Sequence, residues 1–173
     1  MTLTCQLRIA VIAGEFADPA ADSAAGDVFY SADYAPGAVM AAAGAGLYAH
    51  WRARGVQVNF LVHDLLPVLR PEFFPVGAAL THGGFLDCVA ASGDRLIAIS
   101  GAVRDELRQW LARRDGVPTP RLAVLHHGAD IGAGQPAAPA PDDPALARFA
   151  ELPSFLMVGT IEPRKNHWLV LHL

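Results

Sequence analysis

Three short segments of the chain carry side chains whose types and spacing could do chemistry. The segment Val158-Gly-Thr-Ile-Glu-Pro-Arg-Lys-Asn166 follows an apolar run with a glycine turn at Gly159, two adjacent cations and the start of a helical pattern. Arg164 offers a planar fork and Lys165 a point charge, a combination suited to a diphosphate. A helix N-terminus would add unpaired amides and a partial positive charge for the same anion. The plain alternative is a pair of solvated loop cations. His63-Asp64 directly follows the apolar run Val56–Val62. His63 could bond a sugar hydroxyl or a phosphate, or move a proton, and Asp64 would face the same crevice. The alternative there is a histidine satisfied by a backbone carbonyl and an aspartate capping the next turn. His126-His127-Gly128-Ala129-Asp130 is the third segment. Adjacent side chains on extended backbone point to opposite faces, so the two histidines are not a chelate. Gly128 would serve a tight turn or a close approach of backbone to a ligand.

Several chemistries lack their motif. No GxxxxGK[ST] and no GxGxxG after a strand occurs, which weighs against a P-loop ATPase and a typical dinucleotide fold. No GxSxG supports a serine hydrolase. His50 and His82 show no ligand spacing, and no metal is expected. The formal net charge of -4 provides no basic surplus for nucleic acid. The two cysteines, Cys5 and Cys88, have no CxxC spacing and read as free thiols of a reducing, cytoplasmic compartment. Met1 to Gln6 lack the basic start and apolar run of a secretory signal. The longest uncharged stretch, Tyr34 to Trp51, is rich in alanine and interrupted by Pro36, Gly37, Gly44 and Gly46, so it reads as a helix packed on a sheet rather than a membrane span.

The elements that must position these residues alternate along the chain. Apolar runs predict strands at Arg8–Ala13, Asp27–Ala32, Val56–Val62, Arg95–Ile99, Arg121–Leu125 and Phe155–Val158. Helices are predicted at about 37–54, stopped by Gly55, and weakly at about 76–91, where Gly83-Gly84 intervenes. A helix capped by Ser100 starts at Gly101, with Val103, Leu107, Trp110 and Leu111 at helical spacing. Leu66 to Pro75 reads as a proline-punctuated loop. Strand-helix alternation means an α/β fold: a Rossmann-like open parallel sheet with helices on both faces. With 53% hydrophobic and only 17% charged residues, the 173-residue chain has the material for such a core. The expected organisation is a first domain over 1–131 and a linker over 132–144, whose sequence GAGQPAAPAPDDP holds four prolines. A short helix over 145–151 and the first βα unit of a second domain would then occupy 145–173.

Taken together, FLVHDLLPVLRPEFFP (60–75), LIAISGAVRDEL (96–107), VLHHGAD (124–130) and above all FLMVGTIEPRKN (155–166) resemble the retaining GT-B glycosyltransferases of family GT4, glycosyltransferase group 1, and particularly bacterial envelope-polysaccharide members. The order and spacing agree over residues 56 to 173, and GDVFYSADYAP (26–36) adds a match in the first part. The resemblance implies two Rossmann-like domains, of which the second holds a nucleotide-sugar donor. The sugar, mannose from GDP-mannose by subgroup resemblance, is transferred with retention to a glycan or lipid-linked acceptor, and no metal cofactor is expected. On this pattern Lys165 falls on the diphosphate-binding lysine. Thr160 stands where an arginine often follows the glycine, which leaves Arg164 as the second phosphate contact beside Gly159. His63 falls on the histidine near the donor sugar, with Asp64 and Gly128 as further donor or acceptor contacts.

The family's Glu-x7-Glu pair, which binds donor sugar and ribose, has no counterpart among these residues, and its N-terminal glycine-rich loop is represented by Gly14 alone. The expectation is therefore an incomplete enzyme, cut within its second domain and inactive by itself, that needs the remainder of the chain or a protein partner. The alternatives are a non-catalytic remnant, an acceptor-binding subunit of a split protein, or another GT-B enzyme such as a sugar-nucleotide epimerase. Envelope-sugar synthesis would bring peripheral contact with the inner membrane.

Overall fold

The computed structural model describes residues 23–128, 153 and 155–172. The chain divides into two compact units, one ending at His127 and one beginning at Gly128. The strand expected at 8–13, the linker and the helix expected at 145–151 lie outside the described residues.

Among the described residues the first unit holds four parallel strands: β1 (Val28–Ser31), β2 (Gln57–Val62), β3 (Arg95–Ala98) and β4 (Arg121–Val124). They lie in the order β1-β2-β3-β4, with Phe60 opposite Ser31 on one side and Leu96 on the other. β2 is an interior strand, as the burial of every residue from Val58 to Val62 requires. The connections carry α1 (Pro36–Gly44), α2 (Leu47–Ala53), α3 (Leu66–Leu69), a 3-10 turn (Pro71–Phe73), α4 (Ala78–Ser92) and α5 (Gly101–Leu111).

Strand order decides where the helices go. Parallel crossovers are right-handed, and when each strand lies beside its predecessor in one direction, all crossovers fall on one face. The buried side chains agree. Val39 of α1, Tyr48 and Trp51 of α2, Phe85, Leu86 and Val89 of α4, and Leu107 and Leu111 of α5 form one cluster with Val58, Phe60, Val62 and Leu96. Alternation along the strands turns Tyr30, Asn59, Leu61, Arg95 and Ile97 to the other face. The described helices thus cover a single face. On the opposite one, buried Asn59 donates through Nδ2 to the carbonyls of Phe29 at 3.0 Å and Gln57 at 3.2 Å.

Two expected elements take a different form. The helix expected over 37–54 breaks at Gly46, whose φ of +79° is a left-handed conformation open to glycine. The break lets α2 swing Tyr48 and Trp51 onto Phe29, with ring centroids 5.6 and 4.8 Å away. The stretch expected as a loop over 66–75 contains α3 and the 3-10 turn, with Pro67 and Pro71 at first-turn positions where a missing N–H costs nothing. Gly83-Gly84 sits inside a regular 15-residue α4, at the places where Val68 and Met40 approach it. Burial of its neighbours Phe85, Leu86 and Val89 outweighs the poor helix propensity of the pair. The expected Ser100 cap is present, its hydroxyl accepting from the Val103 amide at 3.2 Å.

Asp94 ties the amino ends of the strands: Oδ1 pairs with Arg52 Nε at 2.9 Å and Oδ2 accepts from the Val58 amide at 2.9 Å. Cys88 is a free thiol, and Cys5 lies outside the described residues. Among the described residues no helix is long and apolar enough to cross a membrane.

In the second unit, a 3-10 turn (Pro163–Lys165) leads into the short helix α6 (His167–Leu171). Phe155–Val158, expected as a strand, form no strand among the described residues, and Phe155 and Leu156 are 94% and 90% exposed. A strand requires a ladder partner, and none is described there.

Gly93 packs too tightly for a side chain. A Cβ there would lie 2.9 Å from the Val89 carbonyl oxygen and 3.1 Å from Phe60 Cδ2. Gly93→Ala is expected to lower unfolding stability by about 1–3 kcal/mol in urea titrations. Gly37→Ala, with nothing within 4 Å, should leave it unchanged or slightly raised.

Candidate functional site

All four strands run the same way, so their carboxyl ends meet at one edge of the sheet, where open α/β domains bind ligands. His63 follows the last residue of β2 and is half-buried. Beyond β3 on the other side, Leu125 continues β4, its N–H donating a hydrogen bond to the Ala98 carbonyl at 2.9 Å, and His127 stands two residues further on. The two rings meet: His63 and His127 stack with centroids 5.9 Å apart and planes 26° from parallel. Stacked imidazoles at a strand edge can give or accept hydrogen bonds with sugar hydroxyls and phosphate oxygens. The N-terminus of α5, capped by Ser100, opens at the same edge.

Asp64 turns out to serve the backbone. Its Oδ1 accepts from the Leu66 amide at 2.9 Å, the turn-capping role that the sequence left open. Gly128 is exposed, does not have a left-handed φ, and leaves open space where a Cβ would stand. The tight turn expected there is therefore not what glycine supplies. Asp130 lies outside the described residues.

Sequence reading missed His82. It is only 5% exposed, with Nδ1 3.0 Å from the Tyr34 hydroxyl and Nε2 3.0 Å from the Asp64 carbonyl. Its signal was present: on α4 it stands three and four residues before Phe85 and Leu86, which places it on the inward face. The partnership of His63 with His127 left no comparable mark, because 64 positions and an intervening strand separate them.

In the second unit, Gly159, Arg164 and Lys165 do come together. Gly159 has a φ of +156°, and the aliphatic stem of Lys165 lies 3.8 Å from where its Cβ would be. Arg164 is held by Glu162 through two bonds, Nε–Oε2 at 2.7 Å and Nη2–Oε1 at 3.2 Å. The Thr160 hydroxyl also donates to Glu162. Arg164 first, then Thr160, hold the Glu162 carboxyl below the usual range. The guanidinium fork expected to meet a phosphate thus already faces a carboxylate. An apolar groove of about 720 Å³ runs beside this turn, lined by Met157, Ile161, Pro163, Trp168, Val170 and Leu171 among others.

At the amino edge of the sheet, Arg52, Gln57, Asp94 and Arg121 line an open hollow of about 500 Å³, where Arg52 and Asp94 neutralise each other. Among the described residues no three His, Cys, Asp or Glu side chains gather so that they could hold a metal ion.

The chain is similar to three Escherichia coli proteins, each described as a serotype-specific mannosyltransferase WbdA. Identity is 42% over 122 residues in each case, which covers 67% of this chain. The chain spans about 15% of the length of these relatives. No protein-family model matches the chain, and no solved structure matches it.

Burial drives the His82 pKa below its ordinary 6.5, against the opposing pull of Asp64. Between that lowered value and 6.5 the unfolded chain binds a proton that the folded chain refuses, so stability falls as pH drops through this window and is complete above it. Urea midpoints compared at pH 7.5 and 5.5 should show this loss, and His82→Gln should remove its share of the slope.

Proposed function

We propose that this chain is part of a glycosyltransferase, a retaining enzyme of the GT-B, GT4 type that moves mannose from GDP-mannose to a glycan or lipid-linked acceptor. The observation that carries the reading is the 42% identity over 122 residues with proteins described as mannosyltransferases. The parallel sheet with His63 and His127 at its carboxyl edge is consistent with it. On this reading residues 1–131 belong to the acceptor-side domain. Residues from 145 onward open the donor-binding domain, whose further strands would cover the exposed Phe155–Val158 and the apolar groove beside α6.

The chemistry follows from charge. Breaking the bond between the sugar and the nucleoside diphosphate leaves negative charge on the departing phosphate, and cations placed for it lower the barrier. Lys165 is the main cation for this role, its stem laid across Gly159. Arg164 would contribute less while Glu162 holds its fork. His63 orients the donor sugar or the incoming hydroxyl, a contribution of position rather than of charge. No metal enters this reading.

The test is a chimera in which this chain replaces the matching segment of one of the Escherichia coli relatives. A folded chimera that transfers mannose from GDP-mannose supports the reading, and one that transfers none contradicts it. In an active chimera, Lys165→Ala should cut transfer at least tenfold. Arg164→Ala should cost less, because its guanidinium is already engaged. Unchanged turnover in Lys165→Ala would remove that residue from the site.

A further inference from the structure

One buried imidazole joins the loops behind His63. The His82 ring takes one partner at each nitrogen, Tyr34 Oη at Nδ1 and the Asp64 carbonyl oxygen at Nε2, both at 3.0 Å. A carbonyl can only accept, so the hydrogen sits on Nε2. In the neutral ring Nδ1 is then an acceptor, and the Tyr34 hydroxyl donates to it. The bonds therefore run in one direction, from Tyr34 through His82 to the Asp64 carbonyl. Tyr34 lies between β1 and α1, His82 on α4, and Asp64 between β2 and α3, so three segments are joined at a single ring. Phe85 packs against both aromatic partners, its centroid 5.2 Å from Tyr34 and 6.0 Å from His82.

The tie acts on the residue next to His63. Asp64 is anchored twice, its carbonyl by His82 and its carboxylate by the Leu66 amide. With the following residue fixed, the His63 backbone is held in the orientation that stacks its ring on His127. We propose that His82 and Tyr34 are positioning residues for His63, holding its imidazole at the carboxyl edge before any ligand arrives. The functional consequence rests on His63 facing the sugar donor or acceptor. The positional part stands on the contacts alone.

Nuclear magnetic resonance of the 173-residue chain, labelled with 15N, tests the positional part without any substrate. The expected tautomer of His82 at pH 7.5 is neutral, with its hydrogen on Nε2. Tyr34→Phe keeps the ring and removes the donor. It should speed amide exchange at Leu65 and Leu66 by about fivefold, the factor for one lost neutral hydrogen bond. The same variant should shift the His63 ring resonances and leave exchange at Phe60 and Leu61 unchanged. A hydrogen on His82 Nδ1 would overturn the proposal, and that measurement needs no variant to fold. An unmoved His63 ring, or exchange that rises equally through β2, would also overturn it. An inactive chimera in the transfer assay would count against the glycosyltransferase reading and leave these outcomes intact.

Discussion

The parallel ladder through β2 is the constraint on which the rest of the first unit depends. β2 is bonded on both sides, and its alternating side chains Val58, Phe60 and Val62 are all but inaccessible to solvent beneath four helices. Hydrophobic burial of this kind gives roughly 1.5–3 kcal/mol for each fully buried large side chain. Because every described strand is parallel, the backbone must return to the amino edge after each one, and right-handed return places the described helices on one face. The same directionality delivers every strand end, and with it His63 and His127, to one edge. The meeting of His63 and His127 is thus a consequence of strand direction more than of any local sequence feature.

Around that edge the charged and polar groups have mostly structural partners. Asp64 caps a turn, Ser100 caps α5, and His82 bridges two loops, while His63 and His127 stack on each other. In the second unit the acidic partner of Arg164 has a comparable effect. Glu162 stands two residues before the arginine and neutralises it locally, so the cation offered by this turn is chiefly Lys165. An RK pair read without its neighbouring glutamate overstates the positive charge available to a diphosphate.

How much of this was legible in the sequence depended on range. The described strands of the first unit could be read because β-branched apolar runs such as Val56–Val62 have one good structural solution, and the Ser100 cap could be read because its partner is three residues away. The break at Gly46 was hidden in an alanine-rich stretch where small residues blur helical periodicity. The face covered by the helices required the strand order, which no local pattern encodes. His63 was visible as a polar residue directly after a buried strand. Its stack on His127 and the bridging role of His82 were not, since both arise from contacts between segments far apart in the chain.

Under the proposed reading, the Gly159–Lys165 turn meets the diphosphate of a sugar nucleotide. Hydrogen–deuterium exchange of the folded chimera, with and without saturating GDP-mannose, tests it most directly. The expected result is protection at residues 159–166 on addition of the donor, with the amino edge around Arg52, Asp94 and Arg121 unchanged. Protection confined to the amino edge, or none at residues 159–166 at saturation, would contradict it.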